Sequence, residues 1–276
     1  MNLNYKKTTY QTFVKNILNM DSREDWPISG INIAVSKIEI LDKDNMLKGN
    51  ATGFFFRHNE KGYFITNRHV VIDEPDEDFY PQFLRLTLHV SKTNFEENRI
   101  INISLYNKNT KNWIEHPEYN KKEVDVVAIP LSEYTIPNFQ DFNSSFVNFF
   151  TINNFIDEYI LSTFADVIII GYPLGFHDEV NNLPVYRKGM IASSYPIDFE
   201  KHPYFLIDSN LHEGTSGSPV LSSPSNILID SKGISIHTDK SILLGILSSE
   251  HFVNGEPLGL NIAWYSKVLI DIIESK

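Results

Sequence analysis

Cysteine is absent from this sequence of 276 residues. Its absence excludes disulfides, metal sites built on thiolates and a cysteine nucleophile. Long apolar runs are absent as well. The N-terminal stretch MNLNYKKTTYQTFVKNILNM holds no apolar segment of signal-peptide length, and runs such as DVIIIGYP are too short to span a bilayer. A chain without thiols or membrane segments suits a reducing compartment, so we expect a cytoplasmic protein with no membrane partner.

Basic residues are scarce relative to acidic ones. The 24 Lys and Arg residues against 35 Asp and Glu residues give a formal net charge of −11. Binding to a nucleic-acid backbone needs clustered Lys and Arg, and the sequence has no basic stripe, so we expect no nucleic-acid partner. The nine histidines form no HExxH pattern and no spacing typical of a metal site. The sequence therefore predicts no metal site.

Aromatic residues, by contrast, are abundant, with 19 Phe and 13 Tyr. Such residues favour pleated, half-buried surfaces over helix interiors. From Ile31 onward, short β-type runs such as INIAVSKIEIL and GYFITNRHVV alternate with turn residues, and a second series runs from DVIIIGYP to GLNIAWY. No helical crossover of sufficient length separates these runs. The pattern predicts an all-β protein built as a sandwich or barrel rather than from βαβ units.

Two helices and one boundary complete the predicted organisation. Apolar residues at helical spacing over Tyr10–Met20 predict a short N-terminal helix, which DWPISG ends, and the tail YSKVLIDIIESK predicts a C-terminal helix. The irregular stretch Ser132–Asp166 reads as a linker with a loose or helical excursion. We predict a helical lead-in over 1–28, a first β unit over 29–140 and a second β unit with the C-terminal helix over 141–276.

Three short stretches stand in an informative order: FITNRHVV with His69, VDVVAIPL with Asp125 and GTSGSPV with Ser216. A serine hydroxyl becomes a good nucleophile when an imidazole accepts its proton, and that imidazole needs a carboxylate on its other nitrogen. His69 would be the base, Asp125 the orienting acid and Ser216 the nucleophile. The chain order His, Asp, Ser differs from that of α/β hydrolases and of subtilisin-like enzymes.

The residues around Ser216 predict an oxyanion hole. Gly214 lets the backbone turn freely, and its N–H with that of Ser216 would form two donors for a developing oxyanion. Each stretch taken alone is more often structural than catalytic. Their joint occurrence in the correct order favours catalysis.

The three stretches resemble the trypsin/chymotrypsin-like serine peptidases, most closely the bacterial branch that includes glutamyl endopeptidases and DegP-like proteases. The resemblance covers roughly Ile31 to Ile273, including GYP at Gly171–Pro173. It implies a trypsin-like double β-barrel of two six-stranded halves, with the triad at their junction. It also implies hydrolysis of peptide bonds through an acyl-enzyme, a protein or peptide substrate, and no cofactor.

Two positions depart from the family pattern. Thr215 stands where zymogen-activated trypsins have an aspartate, so activation by exposing a buried N-terminus is not expected. Leu247 stands where glutamyl endopeptidases have a histidine that binds the acidic side chain, which argues against glutamate specificity. The same alignment implies a substrate-binding set: Asn210, Leu211, Ser248, Ser249 and Glu250.

A function of another class stays open beside the peptidase. The protease-like fold could serve as an inactive binding or regulatory module, although a complete triad speaks against that reading. Alternatively, the enzyme is latent and is controlled by a regulatory protein partner, since an unrestrained cytoplasmic protease would be harmful. The segment before residue 21 and the stretch Ser132–Asp166 are the candidate regulatory surfaces.

Overall fold

Strands account for most of the regular structure. The computed structural model describes residues 27–72, 81–92, 94–108, 110–156, 160–161, 164–229, 232–236 and 242–276. The predicted helix over Tyr10–Met20 lies outside these ranges. Nineteen strands and only short helices fill the described residues, which confirms the predicted all-β class.

The first half of the chain forms one large sheet, with strands in the order β5-β4-β1-β2-β3-β9-β8 and β10 parallel to β2. The six longer strands match the expected number for one half, and the two-residue strands β8 and β10 extend the sheet. Among the described residues this sheet does not close on itself, and β6 and β7 pair separately. The strands are β1 (Val35–Leu41), β2 (Leu47–His58), β3 (Lys61–Thr66), β4 (Phe83–His89), β5 (Asn98–Ser104), β6 (Tyr106–Asn107), β7 (Thr110–Lys111), β8 (Ile114–Glu115), β9 (Val127–Pro130) and β10 (Phe150–Thr151).

The second half is a closed six-stranded barrel in the order β12-β13-β14-β19-β18-β15. A small three-stranded sheet, β11-β16-β17, accompanies it. The strands are β11 (Ile160–Leu161), β12 (Asp166–Gly171), β13 (Val185–Ile191), β14 (Tyr204–Asp208), β15 (Pro219–Ser222), β16 (Leu228–Ile229), β17 (Ser235–Ile236), β18 (Leu243–Val253) and β19 (Glu256–Tyr265).

Helical segments are short and peripheral. The predicted C-terminal helix is confirmed and buries its apolar residues at the predicted spacing. A helix beginning at Pro27 was not expected, because DWPISG was interpreted as a break. Proline fits the first turn of a helix, where its missing N–H costs no hydrogen bond. The helices are Pro27–Asn32, Arg68–Val71, Tyr119–Lys122, Phe139–Asn143 and Val268–Glu274, with 3₁₀ turns Ile152–Asn154 and Pro173–Gly175.

The run Phe54, Phe55, Phe56 in β2 shows how the halves share a core. Successive side chains of a strand point to opposite faces, and all three rings are fully buried. Phe55 packs in the core of the first half. Phe54 and Phe56 pack in a separate core with Trp264 of β19 and Leu269 of the C-terminal helix. This separate core contains residues of both halves and joins them, so side chains at the junction hold fixed positions.

Candidate active site

His69 and Asp125 come from neighbouring strands of the first half. β3 pairs with β9 so that Thr66 lies opposite Val127, and antiparallel pairing places the end of β3 beside the start of β9. His69 follows β3 within the short helix Arg68–Val71, and Asp125 precedes β9. The His69 Nδ1 lies 2.7 Å from Asp125 Oδ2, and the His69 backbone N–H donates to Asp125 Oδ1 at 2.9 Å.

Two further hydrogen bonds hold Asp125. Ser248 Oγ donates to Asp125 Oδ2 at 2.6 Å, and Asn67 Nδ2 donates to the Asp125 backbone carbonyl at 2.6 Å. Ser248 lies on β18 of the second half, so Asp125 is held from both halves. The sequence pattern predicted Ser248 only as part of the substrate-binding strand. Nothing in the letters LSSE signals that one of these serines contacts a carboxylate more than a hundred residues earlier.

The pKa of the His69 imidazole is raised above its ordinary value of 6.5. Burial of the ring lowers this pKa, but the hydrogen bond and the negative charge of Asp125 together outweigh burial. The side chain keeps 48% of its surface exposed, so it remains accessible to a substrate. An ionised carboxylate only accepts hydrogen bonds, so Nδ1 carries the proton and Nε2 is left as the proton acceptor.

Ser216 lies in the loop that precedes β15 in the second half. Its hydroxyl is half-buried and donates to the Ser248 backbone carbonyl at 3.3 Å. Within the described residues, Ser216 makes no hydrogen bond to His69. Ser248 contacts both groups, with its hydroxyl on Asp125 and its carbonyl on Ser216, and so brings all three predicted residues into one neighbourhood. Hydrogen bonds of a catalytic serine often tighten only when substrate binds.

The loop before Ser216 presents two backbone donors. Gly214 has a φ of +87°, and a Cβ added there would lie 2.6 Å from the Tyr172 carbonyl oxygen, so only glycine fits. In the part of the chain that the structure describes, the N–H groups of Gly214 and Ser216 have no acceptor, whereas the N–H of Thr215 donates to the His212 carbonyl at 3.2 Å. Two such donors in one loop are suited to an anionic oxygen.

The residues predicted to bind substrate lie on two segments beside this loop. Asn210 is exposed, and its carbonyl accepts a hydrogen bond from the Arg187 guanidinium. Leu211 is partly buried and packs against the core of the second barrel. Ser249 and Glu250 are exposed on β18. Their contact with a substrate stays a prediction.

The described residues form neither a metal site nor a helix that could span a membrane. No group of three or more His, Asp or Glu side chains there could hold a metal ion. No helix in those same ranges has both the length and the apolar character needed to cross a bilayer.

The model of the trypsin-like peptidase domain matches residues 51–228, which is more than half of the chain and includes His69, Asp125 and Ser216. The chain belongs to the trypsin-like peptidase family. No curated protein matches the sequence.

Three solved structures are similar to this chain at low sequence identity. The HtrA-type protease AlgW, solved with a tripeptide, is 15% identical with a TM-score of 0.52, over 90% of this chain and 62% of that one. The inactive form of a mutant of Rv3671c from M. tuberculosis H37Rv is 15% identical with a TM-score of 0.48, over 91% of this chain and 90% of that one. The serine endoprotease from Yersinia pestis is 15% identical with a TM-score of 0.48, over 88% of this chain and 62% of that one.

Proposed function

We propose that this chain is a serine endopeptidase that hydrolyses peptide bonds through an acyl-enzyme. The observation that carries the proposal is the hydrogen-bonded pair of His69 and Asp125 next to a loop that holds Ser216 and two free backbone donors. A protein or peptide is the substrate that this arrangement suits. The chemistry needs no cofactor, because the side chains supply base, orienting acid and nucleophile.

The first half of the reaction forms an ester. Ser216 Oγ attacks the carbonyl carbon of the scissile bond while His69 Nε2 takes its proton. The negative charge that develops on the carbonyl oxygen is stabilised by the N–H groups of Gly214 and Ser216. His69 then donates the proton to the leaving amine, the C–N bond breaks and the acyl group stays on Ser216. Asp125 stabilises the imidazolium and keeps its Nδ1–H in place.

The second half of the reaction restores the enzyme. His69 accepts a proton from a water molecule, whose oxygen attacks the ester carbon. The same two N–H groups receive the oxyanion a second time. Collapse of this intermediate breaks the bond to Ser216 Oγ and returns the proton to it from His69. The product carries a new carboxylate.

Labelling with a fluorophosphonate probe tests this proposal. The probe phosphonylates a serine only where a base and an oxyanion hole activate it. We expect one probe mass on the wild type and none on Ser216→Ala, with peptide hydrolysis lost in that variant. The matched control is Ser225→Ala, an exposed serine between β15 and β16, which should label and cleave like the wild type. Equal labelling of Ser216→Ala and wild type would refute the assignment.

A latent enzyme is the second candidate, and one observation favours it. The Ser216 hydroxyl donates to Ser248 rather than to His69, so the proton acceptor is not yet engaged. In this case a folded, monodisperse wild type would not label until a regulatory protein partner is added. An inactive binding module would label under neither condition.

The finer features of the protein are part of the same proposal. Its assignment to the bacterial branch rests on TNRHVV, GTSGSPV and DVVAI. Its cytoplasmic location rests on a sequence without cysteine in which no apolar run has the length of a signal peptide or a membrane span. Leu247 is fully buried, and the acidic residue Glu250 is exposed on β18, two positions after Ser248. A preference for acidic side chains before the cut is therefore not expected. Profiling cleavage of a peptide library would test this point directly.

A further inference from the structure

Thr52 lies where the two halves of the molecule meet. It belongs to β2 of the first half, opposite Lys37 of β1. Its side chain is fully buried. Thr52 lies in the stretch ATGFFF, for which the sequence predicts a strand and no other role.

Four hydrogen bonds connect Thr52 to its surroundings, three of them to the second half. The Thr52 N–H donates to the Ser216 carbonyl at 2.9 Å. The Thr52 hydroxyl donates to the Gly214 carbonyl at 2.8 Å and accepts the Tyr172 N–H at 3.1 Å. The Thr52 carbonyl accepts the hydroxyl of Thr66 at 2.9 Å. Every polar atom of Thr52 therefore has a partner.

These contacts fix the loop that carries both proposed oxyanion donors. The carbonyls of Gly214 and Ser216 each face Thr52, so the peptide planes that follow these two residues are held by one residue. The Ser216 N–H lies between the two held planes, and the Gly214 N–H lies directly before the first. A threonine on a rigid strand of the opposite half thus determines where the two donors point.

The packing leaves little freedom for an alternative loop position. A Cβ added at Gly217 would lie 2.1 Å from the Thr52 carbonyl oxygen, and one added at Gly171 would lie 2.9 Å from its hydroxyl oxygen. Strand β2 and the loop therefore approach each other at backbone distance. If one of these hydrogen bonds were lost, the buried groups that form it would have no partner, because there is no room for another side chain to take the place of the missing group.

We propose that Thr52 is a positioning residue for the oxyanion loop, acting through Gly214 and Ser216 and touching neither substrate nor reacting atoms. The inference rests on the proposed peptidase function of the same site. The Thr52 hydroxyl bridges the Gly214 carbonyl and the Tyr172 N–H. It therefore connects the 172–175 loop to the oxyanion loop, which is the segment 212–218 that carries both donors.

Three variants separate positioning from general stability. Thr52→Val keeps the shape and removes the hydroxyl, whereas Thr52→Ser keeps the hydroxyl. Thr135→Val is the matched control, because the Thr135 hydroxyl is also buried, donates to a backbone carbonyl, that of Pro130, and accepts a backbone N–H, that of Ser132. Its partners belong to the first half alone, so its loss should affect melting temperature without affecting the site.

The readouts are the rate of fluorophosphonate labelling, kcat and KM for a peptide, and amide hydrogen exchange of the 212–218 segment. We expect Thr52→Val to lower kcat and the labelling rate by about 10- to 100-fold with KM nearly unchanged, because a small misplacement of catalytic groups has effects of this size. Thr52→Ser should recover to within about 3-fold, and exchange over 212–218 should be faster in Thr52→Val alone.

The outcomes distinguish this inference from the proposed function. Labelling of the wild type with equal labelling of Thr52→Val, or a Thr52→Ser variant as slow as Thr52→Val, would overturn the positioning role and leave the peptidase intact. If the wild type does not label, the exchange measurement decides. Faster exchange in Thr52→Val than in Thr135→Val would still support positioning of the loop, and unchanged exchange would refute it.

Discussion

Replacing Asp125 by asparagine is the sharpest test of the proposed base. In the structure Asp125 Oδ1 accepts the backbone N–H of His69 at 2.9 Å, while Oδ2 accepts both His69 Nδ1 and Ser248 Oγ. An asparagine has one oxygen and one NH₂ for these two places. The backbone N–H can only donate, so the asparagine oxygen must occupy the Oδ1 position.

The NH₂ group of the variant then faces the imidazole. An NH₂ group can only donate, so Nδ1 of His69 must become the acceptor and its proton must move to Nε2. The Ser248 hydroxyl can rotate to accept the second NH₂ proton, so it does not prevent this arrangement. With Nε2 protonated, His69 cannot take the proton of Ser216. Because the geometry is otherwise intact, this is a change of tautomer rather than of fold.

The expected loss is about 10⁴-fold in kcat, the general value for this change in a Ser-His-Asp triad. At about 1.4 kcal/mol for each factor of ten, this corresponds to about 5.5 kcal/mol of transition-state stabilisation. The assay is steady-state hydrolysis of a peptide together with the fluorophosphonate labelling rate, both measured above the pKa of His69. Asp44→Asn, at an exposed aspartate in the turn between β1 and β2, is the control.

A loss smaller than about tenfold, with an unchanged melting temperature and far-ultraviolet spectrum, would refute the orienting role of Asp125. Such a result would mean that His69 presents a free Nε2 without help from the carboxylate. A large loss accompanied by a lowered melting temperature would require the same comparison at a temperature where both proteins are folded.

Two other predictions follow from the same site. The pKa of His69 is raised, and the base works only when it is neutral. In a pH profile of kcat/KM, activity should therefore rise with pH along an acid limb whose midpoint lies above 6.5. A midpoint below this value would contradict the role of Asp125. Gly214→Ala should lower kcat by about 10²- to 10³-fold. The added Cβ would lie 2.6 Å from the Tyr172 carbonyl oxygen, so the loop must shift and displace one oxyanion donor. Fluorophosphonate labelling of Gly214→Ala at the wild-type rate would contradict a role of the Gly214 N–H as that donor.

The predictable part of this molecule lies in local patterns. Alternation of apolar residues marked the strands, and the apolar spacing of the tail marked the helix Val268–Glu274. The order of His69, Asp125 and Ser216 pointed to one neighbourhood, because each stretch has a chemical interpretation that needs the other two. The closed barrel of the second half agrees with the fold that the resemblance implied.

The contacts of Thr52 and Ser248 could not be predicted, because they depend on long-range docking. Thr52 meets Gly214 across 162 positions, and Ser248 meets Asp125 across 123. A threonine in a strand or a serine at the end of one has no local pattern that names its partner. The rotamer of Ser216 is also beyond sequence, because it is set by the position of a carbonyl on β18.

The division of the site between two halves has a consequence for biosynthesis. His69, Asp125 and Thr52 are translated well before Ser216, and Ser216 precedes Ser248. A nascent chain therefore carries the proposed base and its carboxylate long before it carries the proposed nucleophile. Even after Ser216 has been translated, the barrel lacks β18 and β19, so the loop that carries Ser216 cannot pack against β18. The proposed peptidase activity can therefore arise only after β18 and β19 have been translated.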